Sequence, residues 1–262
     1  QAGMLFHRLS SGDPHVDLQQ VVGTLREPLD EARFLRAWQR VVERHPILRS
    51  RFRWEGVAQP VQDVIDRVQI PVEHFDWRAL GETERQQRFR AFLDSDRDRG
   101  LDLQTAPLMR LALVRASENE WWMVWTNHHA VLDGRSHLLV LRELFDFYEA
   151  FLRGEDIDLP LPRPFRDYIE WRRGLDHRAA KLYWKQVLES FSTPTPLVVP
   201  HDREIENLAR SNWRWHTIRL SSERTAALRG FARGAPVTLN TLVQGAWALM
   251  LHRYSGELDI VF

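Results

Sequence analysis

The sequence predicts a layered α/β fold. Short apolar runs typical of strands alternate with segments whose apolar residues recur every three or four positions, as on one helix face. Pro and Gly residues fall at the boundaries between these segments, where they favour turns. Hydrophobic residues make up 44% of the chain and charged residues 27%, which is typical of a soluble globular protein.

The first part of the chain is predicted to form a strand, a helix and two further strands. Asp30 is placed to cap the helix and Pro46 to end it. Apolar residues spaced as on one side of a helix predict a single buried face. These residues are Phe34, Trp38, Val41 and Val42. The predicted strands are residues 19–25, 48–54 and 61–64, the last two around a turn at Gly56.

The middle of the chain is predicted as a charged helix, an antiparallel hairpin and an amphipathic helix. The charged helix spans residues 83–97, and its Arg and Glu side chains indicate a solvated face rather than a binding site. The hairpin pairs residues 109–114 with residues 121–126. The amphipathic helix follows Gly134 and ends near Gly154. Its predicted buried face is Leu138, Leu141, Phe145, Tyr148 and Leu152.

A Pro-rich segment predicts a boundary in the last part of the chain. Residues 192–200 contain three prolines, which favours a linker over a packed element. The elements expected around it are short helices at 166–173 and 179–188, a strand at 213–220, and helices that begin at Ser221 and at Thr238. The domain organisation predicted on this basis is a first subdomain at 1–191, a linker at 192–212 and a second subdomain that begins at 213 and runs to 262.

Composition excludes several classes of function. The 36 basic and 36 acidic residues cancel, so no basic surface for nucleic acid is predicted. The chain has no Cys, which excludes disulfides, thiolate metal ligands and a Cys nucleophile and is compatible with a cytoplasmic location. No apolar stretch is long enough for a membrane span, and no signal peptide is visible.

Two adjacent histidines and a nearby carboxylate form the strongest candidate site. His128 and His129 follow an apolar run at 121–125 and precede Asp133 and Gly134. The run predicts a buried strand that delivers both imidazoles to a tight turn, an arrangement that can hold a base rigidly over a cleft. Because successive side chains on a strand point to opposite faces, His129 is expected to face the cleft and His128 the interior.

A metal site is the competing interpretation of these residues. Adjacent histidines on a strand diverge, and no third histidine lies at ligand spacing. His129 and Asp133 would share a face only on a helix, whereas the preceding apolar run favours a strand. No metal is therefore expected.

Several stretches occur in an order and approximate spacing that match one enzyme family. Residues 128–134 read H-H-x-x-x-D-G, and residues 44–52 read R-H-x-x-L-R-x-x-F. Residues 165–171 resemble a Y-x-D-(F/Y)-x-x-W block, and Tyr183 and Trp184 resemble a Y-W pair. The segment 237–262 resembles the helix and strand that open that family's second half. Over essentially its whole length, the sequence resembles the condensation-domain superfamily of nonribosomal peptide synthetases.

The resemblance implies a fold and a reaction. The fold would consist of two halves, each with a chloramphenicol acetyltransferase-like mixed sheet flanked by helices, around a shared active site. The chain begins without Met and ends in an apparent strand. We therefore expect it to be a fragment that contains the complete first half and the opening of the second half. The reaction would be amide formation between a donor thioester and an acceptor amine. The expected partners are donor and acceptor peptidyl carrier proteins, which bring their own phosphopantetheine, and neighbouring adenylation and carrier domains; no cofactor is expected to bind directly.

The resemblance also assigns roles to the candidate residues. His129 matches the catalytic position and would take a proton from the attacking amine or hold it by a hydrogen bond. A free α-amino group has a pKa of about 7.7–8.0, so a useful fraction is already neutral near pH 7. General-base catalysis contributes roughly 10²–10⁴-fold, and positioning can contribute more, so His129 is expected to be important without being indispensable. His128 is expected to be structural, with a direct catalytic role as the alternative.

The neighbouring residues leave alternatives open. Asp133 would be a second catalytic acid or, as we favour, one partner of a buried ion pair with Arg44, Arg49 or an Arg beyond this segment. Gly134 would permit close approach of the acyl groups or donate its N–H to an oxyanion, unless it is an ordinary turn glycine. Two further residues are assigned to substrate contact or structural support: they are Arg135, which stands where the family often has Trp, and Asn127.

Three other functions compete with amide formation. An epimerization domain would use the same histidine to move an α-proton, and a related carrier-dependent acyltransferase would form an ester or amide. A non-catalytic docking module is the third, although the intact His129 and Asp133 argue against it. The phrases at 54–56, 132–134 and 195–197 resemble the subgroup that receives D-configured or epimerized donors.

Overall fold

The computed structural model describes residues 2–11, 15–191, 195 and 217–262. These residues fall into two compact units, which divide between Leu175 and Asp176. Most of the predicted linker at 192–212, and the start of the strand predicted at 213–220, lie outside the described residues. The assignment of the last segment to a second acetyltransferase-like half therefore stays a prediction.

A mixed sheet forms the centre of the first unit, as the sequence predicts. Its strand order is β1-β6-β5-β4, with β6 antiparallel to both neighbours and β4 parallel to β5. A separate antiparallel hairpin pairs β2 with β3. The strands are β1 (Leu18–Leu25), β2 (Ser50–Arg53), β3 (Val61–Val64), β4 (Val72–Asp76), β5 (Met109–Ser117) and β6 (Glu120–His128).

Helices flank both faces of this sheet. The helices of the first unit are α1 (Ala2–Ser11), α2 (Glu31–Arg44), α3 (Glu82–Arg99), α4 (Gly134–Leu152) and α5 (Phe165–Arg173). Those of the second unit are α6 (His177–Val187), α7 (Ser222–Gly234) and α8 (Leu239–Ser255). In the second unit, Ser221 and Thr238, where the sequence predicts that helices begin, are the caps and accept hydrogen bonds from the first turns of α7 and α8, and Gly256 ends α8 with a φ of 75°.

Side chains alternate between the two faces along β6, which lies in the interior of the sheet. Trp125 points to the face covered by α2, where its ring meets that of Trp38 edge-to-face at 4.9 Å between centroids. Trp122 points to the face covered by α3 and lies 4.7 Å from the ring of Phe89. Because β6 is hydrogen-bonded on both edges and covered on both faces, the position at which it ends is firmly fixed.

The sequence signals for α2 are confirmed. Asp30 caps the helix by accepting a hydrogen bond from the backbone N–H of Arg33, and all four residues of the predicted apolar face are buried. The region after Pro46 differs from the prediction. Residues 46–49 form a turn of 3₁₀ helix, so the strand expected from residue 48 begins at Ser50.

The predicted buried face of α4 is only partly correct: Tyr148 is buried and Leu141 and Phe145 are partly buried, but the centre of the buried face is shifted by one position. Leu138 and Leu152 are exposed by 69% and 47%, whereas the buried stripe is His137, Val140, Leu144, Phe147, Tyr148, Ala150 and Phe151. The helix carries apolar residues on more than one side, so periodicity alone does not select the packed face. The choice follows from tertiary contact with α2, visible in the edge-to-face pair of Phe34 and Tyr148 at 5.3 Å.

Other differences concern short segments. Helix α1 and strand β4 were not predicted from the sequence. Residues 217–220 and 260–262, predicted as strand, have no strand structure. Trp77 and Phe75, which lie beside the predicted charged helix, pack with Phe92 of α3, so one side of that helix is aromatic and partly buried.

Candidate active site

The candidate site lies where β6 ends and the chain turns into α4. His128 is the last residue of the strand and pairs with Leu18 of β1. His129, Ala130 and Val131 form the turn, and Gly134 is the first residue of the helix. The two histidines therefore occupy different backbone environments, one in the sheet and one in the turn.

His129 is half-buried, and two hydrogen bonds fix its position. Its backbone N–H donates to the carbonyl oxygen of Asp17 at 2.7 Å, and Asp17 has a φ of 60°, in the left-handed region that Asp tolerates. Its ring Nδ1 lies 2.7 Å from the carbonyl oxygen of Leu132, so Nδ1 carries the hydrogen. In the neutral ring, Nε2 is consequently the atom with a lone pair available to accept a proton.

His128 is buried, with 1% of its surface exposed. Its Nδ1 accepts a hydrogen bond from the backbone N–H of Ala130 at 3.1 Å, which supports the turn that carries His129. Burial lowers the pKa of His128, and the positive ends of Arg8 and His129 act in the same direction. The Asp17 carboxylate and the Val16 carbonyl partly oppose this effect. These contacts are those of a neutral structural histidine.

Asp133 does not form the predicted ion pair with Arg44 or Arg49. Its side chain is exposed and caps α4, where it accepts a hydrogen bond from the backbone N–H of Ser136 at 2.7 Å. The hydrogen bonds from Ser136 lower the pKa of Asp133, with a smaller contribution from the nearby His129. The carboxylate is exposed rather than buried, and its role in this unit is helix capping, while an ion pair with an Arg beyond this segment stays a prediction.

Arg44 and Arg49 bind other groups. Arg44 donates through Nε to Glu143 of α4 at 3.0 Å, and through its other nitrogens to the carbonyl oxygens of Leu159 and Pro160. Arg49 donates to the carbonyl oxygens of Ile65 and Asp66. Both therefore support the backbone around the site rather than Asp133.

Gly134 and Arg135 are exposed at the start of α4. A Cβ placed on Gly134 would meet no atom within 4 Å, and its φ lies outside the left-handed region. The fold itself therefore does not require glycine here, which removes the ordinary turn explanation. Close approach of a substrate stays a prediction.

Asn127 lies beneath the site and is fully buried. Its Oδ1 is 3.0 Å from Nε2 of His137, which also meets the Trp125 ring at 5.1 Å. Burial lowers the pKa of His137, so the neutral ring donates this hydrogen bond. Asn127 thus joins the end of β6 to the first turn of α4.

Sequence reasoning missed a cluster formed by Glu143. Its Oε2 lies 2.6 Å from Nε2 of His45 and 3.0 Å from Nε of Arg44. Glu143 stands almost a hundred residues from both partners, on a helix whose register was predicted one position off. The adjacent Arg44 and His45 give no local signal of this partner.

A pocket of about 280 Å³ opens beside His129. Its walls combine a few polar side chains with an apolar majority, a composition common in sites for small ligands. The polar members are His45, His129, Asp133 and Ser136, and the apolar members include Ile47, Leu139, Val140 and Phe165. His129 is thus the imidazole of the H-H pair that reaches the pocket.

The described residues contain neither a group of metal-ligating side chains nor a membrane-spanning helix. Among residues 2–11, 15–191, 195 and 217–262, no three His, Asp or Glu side chains are grouped to hold a metal ion. Within the same ranges, no helix has the length and apolar character to cross a membrane.

The sequence matches known proteins of one kind. The family model described as "Condensation domain" matches residues 1–262. A linear gramicidin synthase polypeptide from Brevibacillus parabrevis is 38% identical over 100% of this chain and 3% of its own length. Chondramide synthase from Chondromyces crocatus is 39% identical over 95% of this chain and 6% of its own length. The chain thus spans a small part of each relative.

Solved structures share the fold. The first condensation domain of the calcium-dependent antibiotic synthetase, in complex with a substrate analogue, aligns with a TM-score of 0.81 at 19% identity. The alignment covers 99% of this chain and 61% of that one. The cyclization-docking bidomain of a nonribosomal peptide synthetase from Sorangium cellulosum aligns with a TM-score of 0.74 at 23% identity, over 93% of this chain and 47% of the other. These matches establish the acetyltransferase-like fold.

Proposed function

Because this chain belongs to the condensation-domain family, we propose that it forms an amide between two substrates held on carrier proteins. The donor is an acyl group in thioester linkage to the phosphopantetheine arm of one peptidyl carrier protein. The acceptor is the amine of an aminoacyl group on a second carrier. Adjacent carrier and adenylation domains are part of the same proposal, since they would supply both substrates.

The proposed step exchanges one bond for another. The acceptor nitrogen attacks the thioester carbonyl carbon, a C–N bond forms, and the C–S bond breaks. The amine loses one proton, and the departing sulfur gains one as the free thiol of the donor carrier. His129 is proposed to take the proton at Nε2 and return it to the sulfur, or to hold the amine while the proton moves.

The tautomer of His129 is the observation that supports this proposal best. With Nδ1–H donated to Leu132, the lone pair at Nε2 is available, and the half-buried ring lies in the wall of the pocket. Positioning of two acyl groups can lower a barrier by roughly 7–11 kcal/mol, more than a general base provides, so binding geometry would contribute the larger share.

Asp133 and His128 are proposed to act indirectly. The Asp133 carboxylate is close enough to His129 to interact electrostatically, so it would stabilise the imidazolium that forms when Nε2 takes a proton. His128 would hold the turn through Ala130 without touching a substrate. Gly134 would leave space for the reacting groups, since a side chain there meets nothing in the protein.

The test is turnover by the full-length protein with donor and acceptor carriers loaded with aminoacyl groups, followed by mass spectrometry of the carrier-bound product. His129→Ala is expected to lower amide formation by about 10²-fold or more. His74→Ala is the matched control, because His74 pairs with Glu31 away from the pocket. Amide formation by His129→Ala at the wild-type rate would refute the assignment. Exchange of the donor α-proton in D₂O without amide product would instead identify an epimerization domain.

A further inference from the structure

His45 places a second imidazole in the wall of the pocket that contains His129. It follows the last residue of α2, and its ring is largely buried, with 18% of the side chain exposed. His45 reaches the pocket from the helix layer, whereas His129 reaches it from the end of β6. Two imidazoles from separate elements therefore share one cavity.

Glu143 fixes the hydrogen on the ring of His45. Its Oε2 is 2.6 Å from Nε2 of His45, and a carboxylate can only accept, so Nε2 carries the hydrogen. Arg44 donates to the same oxygen at 3.0 Å, which orients the carboxylate. In the neutral ring, Nδ1 of His45 is therefore an acceptor, and it makes no hydrogen bond among the described residues.

The rest of the wall indicates what this acceptor would meet. Ile47, Leu139, Val140 and Phe165 offer apolar surface that suits an aliphatic or aromatic side chain. An acceptor in such a wall becomes buried when a ligand fills the pocket, so it favours a ligand that brings a hydrogen-bond donor and disfavours one that leaves it unpaired. An aminoacyl group has both features, an apolar side chain and an N–H on the same α-carbon.

We propose that His45 is a specificity-determining residue, whose Nδ1 accepts a hydrogen bond from the α N–H of the acylated aminoacyl group bound beside His129. This inference rests on the proposed function, since it assigns the bound group to the donor substrate. It predicts a preference for peptidyl donors over donors in which oxygen replaces that N–H. Glu143 acts through His45 and is a positioning residue.

The test measures binding, which requires no turnover. The two probes are N-formyl-leucyl pantetheine amide and its 2-formyloxy-4-methylpentanoyl counterpart, which differ only in N–H against O. Calorimetry on the full-length protein should give about tenfold tighter binding of the N–H probe, the size expected for one unpaired buried acceptor.

Matched variants separate a contact from a structural effect. His45→Gln keeps an amide that can reach Glu143 but has no atom at the Nδ1 position, so it should abolish the preference. His45→Asn places its amide near the Nδ1 position and should retain part of it. Glu143→Gln keeps an oxygen that accepts from Nε2 of His45, so this variant should retain the preference for the N–H probe. Melting temperatures confirm that each variant is folded.

Two results would overturn the inference. One is equal binding of both probes by the wild type, or tighter binding of the oxygen probe, which would mean that Nδ1 is protonated. The other is an unchanged preference in folded His45→Gln. Failure of the proposed function looks different: the probes would still be distinguished in the binding assay while loaded carriers give no amide.

Discussion

His129 and Leu132 form a closed turn in which the ring of one residue is held by the backbone of the other. Nδ1 of His129 donates to the Leu132 carbonyl oxygen over 2.7 Å, and Leu132 is buried, with 5% exposed. The catalytic candidate is thus oriented within its own turn, rather than by a carboxylate from another element. Its Nε2 atom points away from that internal bond by the geometry of the ring.

This relationship predicts the tautomer of His129 in solution. At a pH where the ring is neutral, ¹⁵N NMR of selectively labelled protein should show a protonated Nδ1 and an unprotonated Nε2. The signal is assigned by its loss in His129→Ala. A resonance pattern with the hydrogen on Nε2 would contradict the hydrogen bond to Leu132.

Asp133→Asn and Asp133→Ala should separate the capping role of Asp133 from its charge. Asn is also a good cap, so Asp133→Asn should change the free energy of unfolding little. Asp133→Ala removes the acceptor for the Ser136 N–H and should lower it by about 1 kcal/mol, within a range of roughly 0.5–2. Urea unfolding of both variants measures the free energy of unfolding. A large decrease in Asp133→Asn would contradict the capping role and indicate that the Asp133 charge is paired with an arginine.

Gly134→Ala is expected to leave the fold intact. The added methyl group meets no atom within 4 Å, and the first position of a helix accepts Ala well. The melting temperature should match that of the wild type. If amide formation falls strongly in this stable variant, substrate approach explains the glycine, whereas normal activity would leave it without a role in the reaction.

Asp96→Ala should be among the most destabilising single changes in the first unit. Asp96 of α3 is buried and accepts hydrogen bonds from Arg110, Thr126 and Gln20, which join the helix to the sheet. The loss of one partner from a buried charged pair typically costs about 3–5 kcal/mol, and Arg110 would keep only the carbonyl oxygens of Gly100 and residue 96 as partners for its buried charge. Asp94→Ala, on the exposed side of the same helix, should cost far less in the same urea experiment.

The same carboxylate predicts a loss of stability in acid. Burial alone would raise the pKa of Asp96, but the hydrogen bonds from Arg110, Thr126 and Gln20 outweigh it and lower the pKa to about 2. A lowered pKa in the folded state stabilises the protein fully above the ordinary value of about 3.9 and loses that contribution as pH falls towards 2. The free energy of unfolding is measured against pH for the wild type and for Asp96→Ala. The difference between the two curves gives the contribution of Asp96.

The buried rings of His128 and His137 predict a second loss of folding stability, at a higher pH than the loss due to Asp96. Burial lowers the pKa of both rings in the folded protein. The unfolded chain therefore takes up protons first, and stability should fall as pH drops below about 6.5. NMR titration should give values below about 6.5 for both rings, and values above it would reverse the sign of this effect.

The sequence predicted well those features that depend on neighbouring residues. The Asp30 cap, the apolar face of α2 and the hairpin of β5 and β6 all rest on local periodicity and turn chemistry, and each is confirmed. The H-H-x-x-x-D-G stretch also indicated one interior and one accessible imidazole, but the predicted reason differs from the structure: His128 is buried as the last residue of β6, whereas His129 is half-buried in the turn and not on the strand.

Features that depend on distant partners were predicted less well. Strand β4 joins the sheet edge only by pairing with β5 across more than thirty residues, and its short sequence gives little local signal. Part of the packed face of α4 and the proposed pairing of Asp133 with Arg44 or Arg49 were wrong for a related reason. The partners of Arg44 are Glu143 and the carbonyl oxygens of Leu159 and Pro160, all about a hundred residues away, so no local pattern shows that Arg44 is already occupied.

The nine-residue length of β6 has a practical consequence for labelling this protein. At about 3.4 Å per residue, the Glu118–Asn119 turn lies roughly 30 Å from the histidine end of the strand. Asn119 is exposed there, and the hydrogen bonds of the sheet on either side hold the strand register. A short peptide tag or fluorophore at this turn would therefore allow the proposed docking of carrier proteins to be followed from a distance while the histidine end of the strand keeps its geometry.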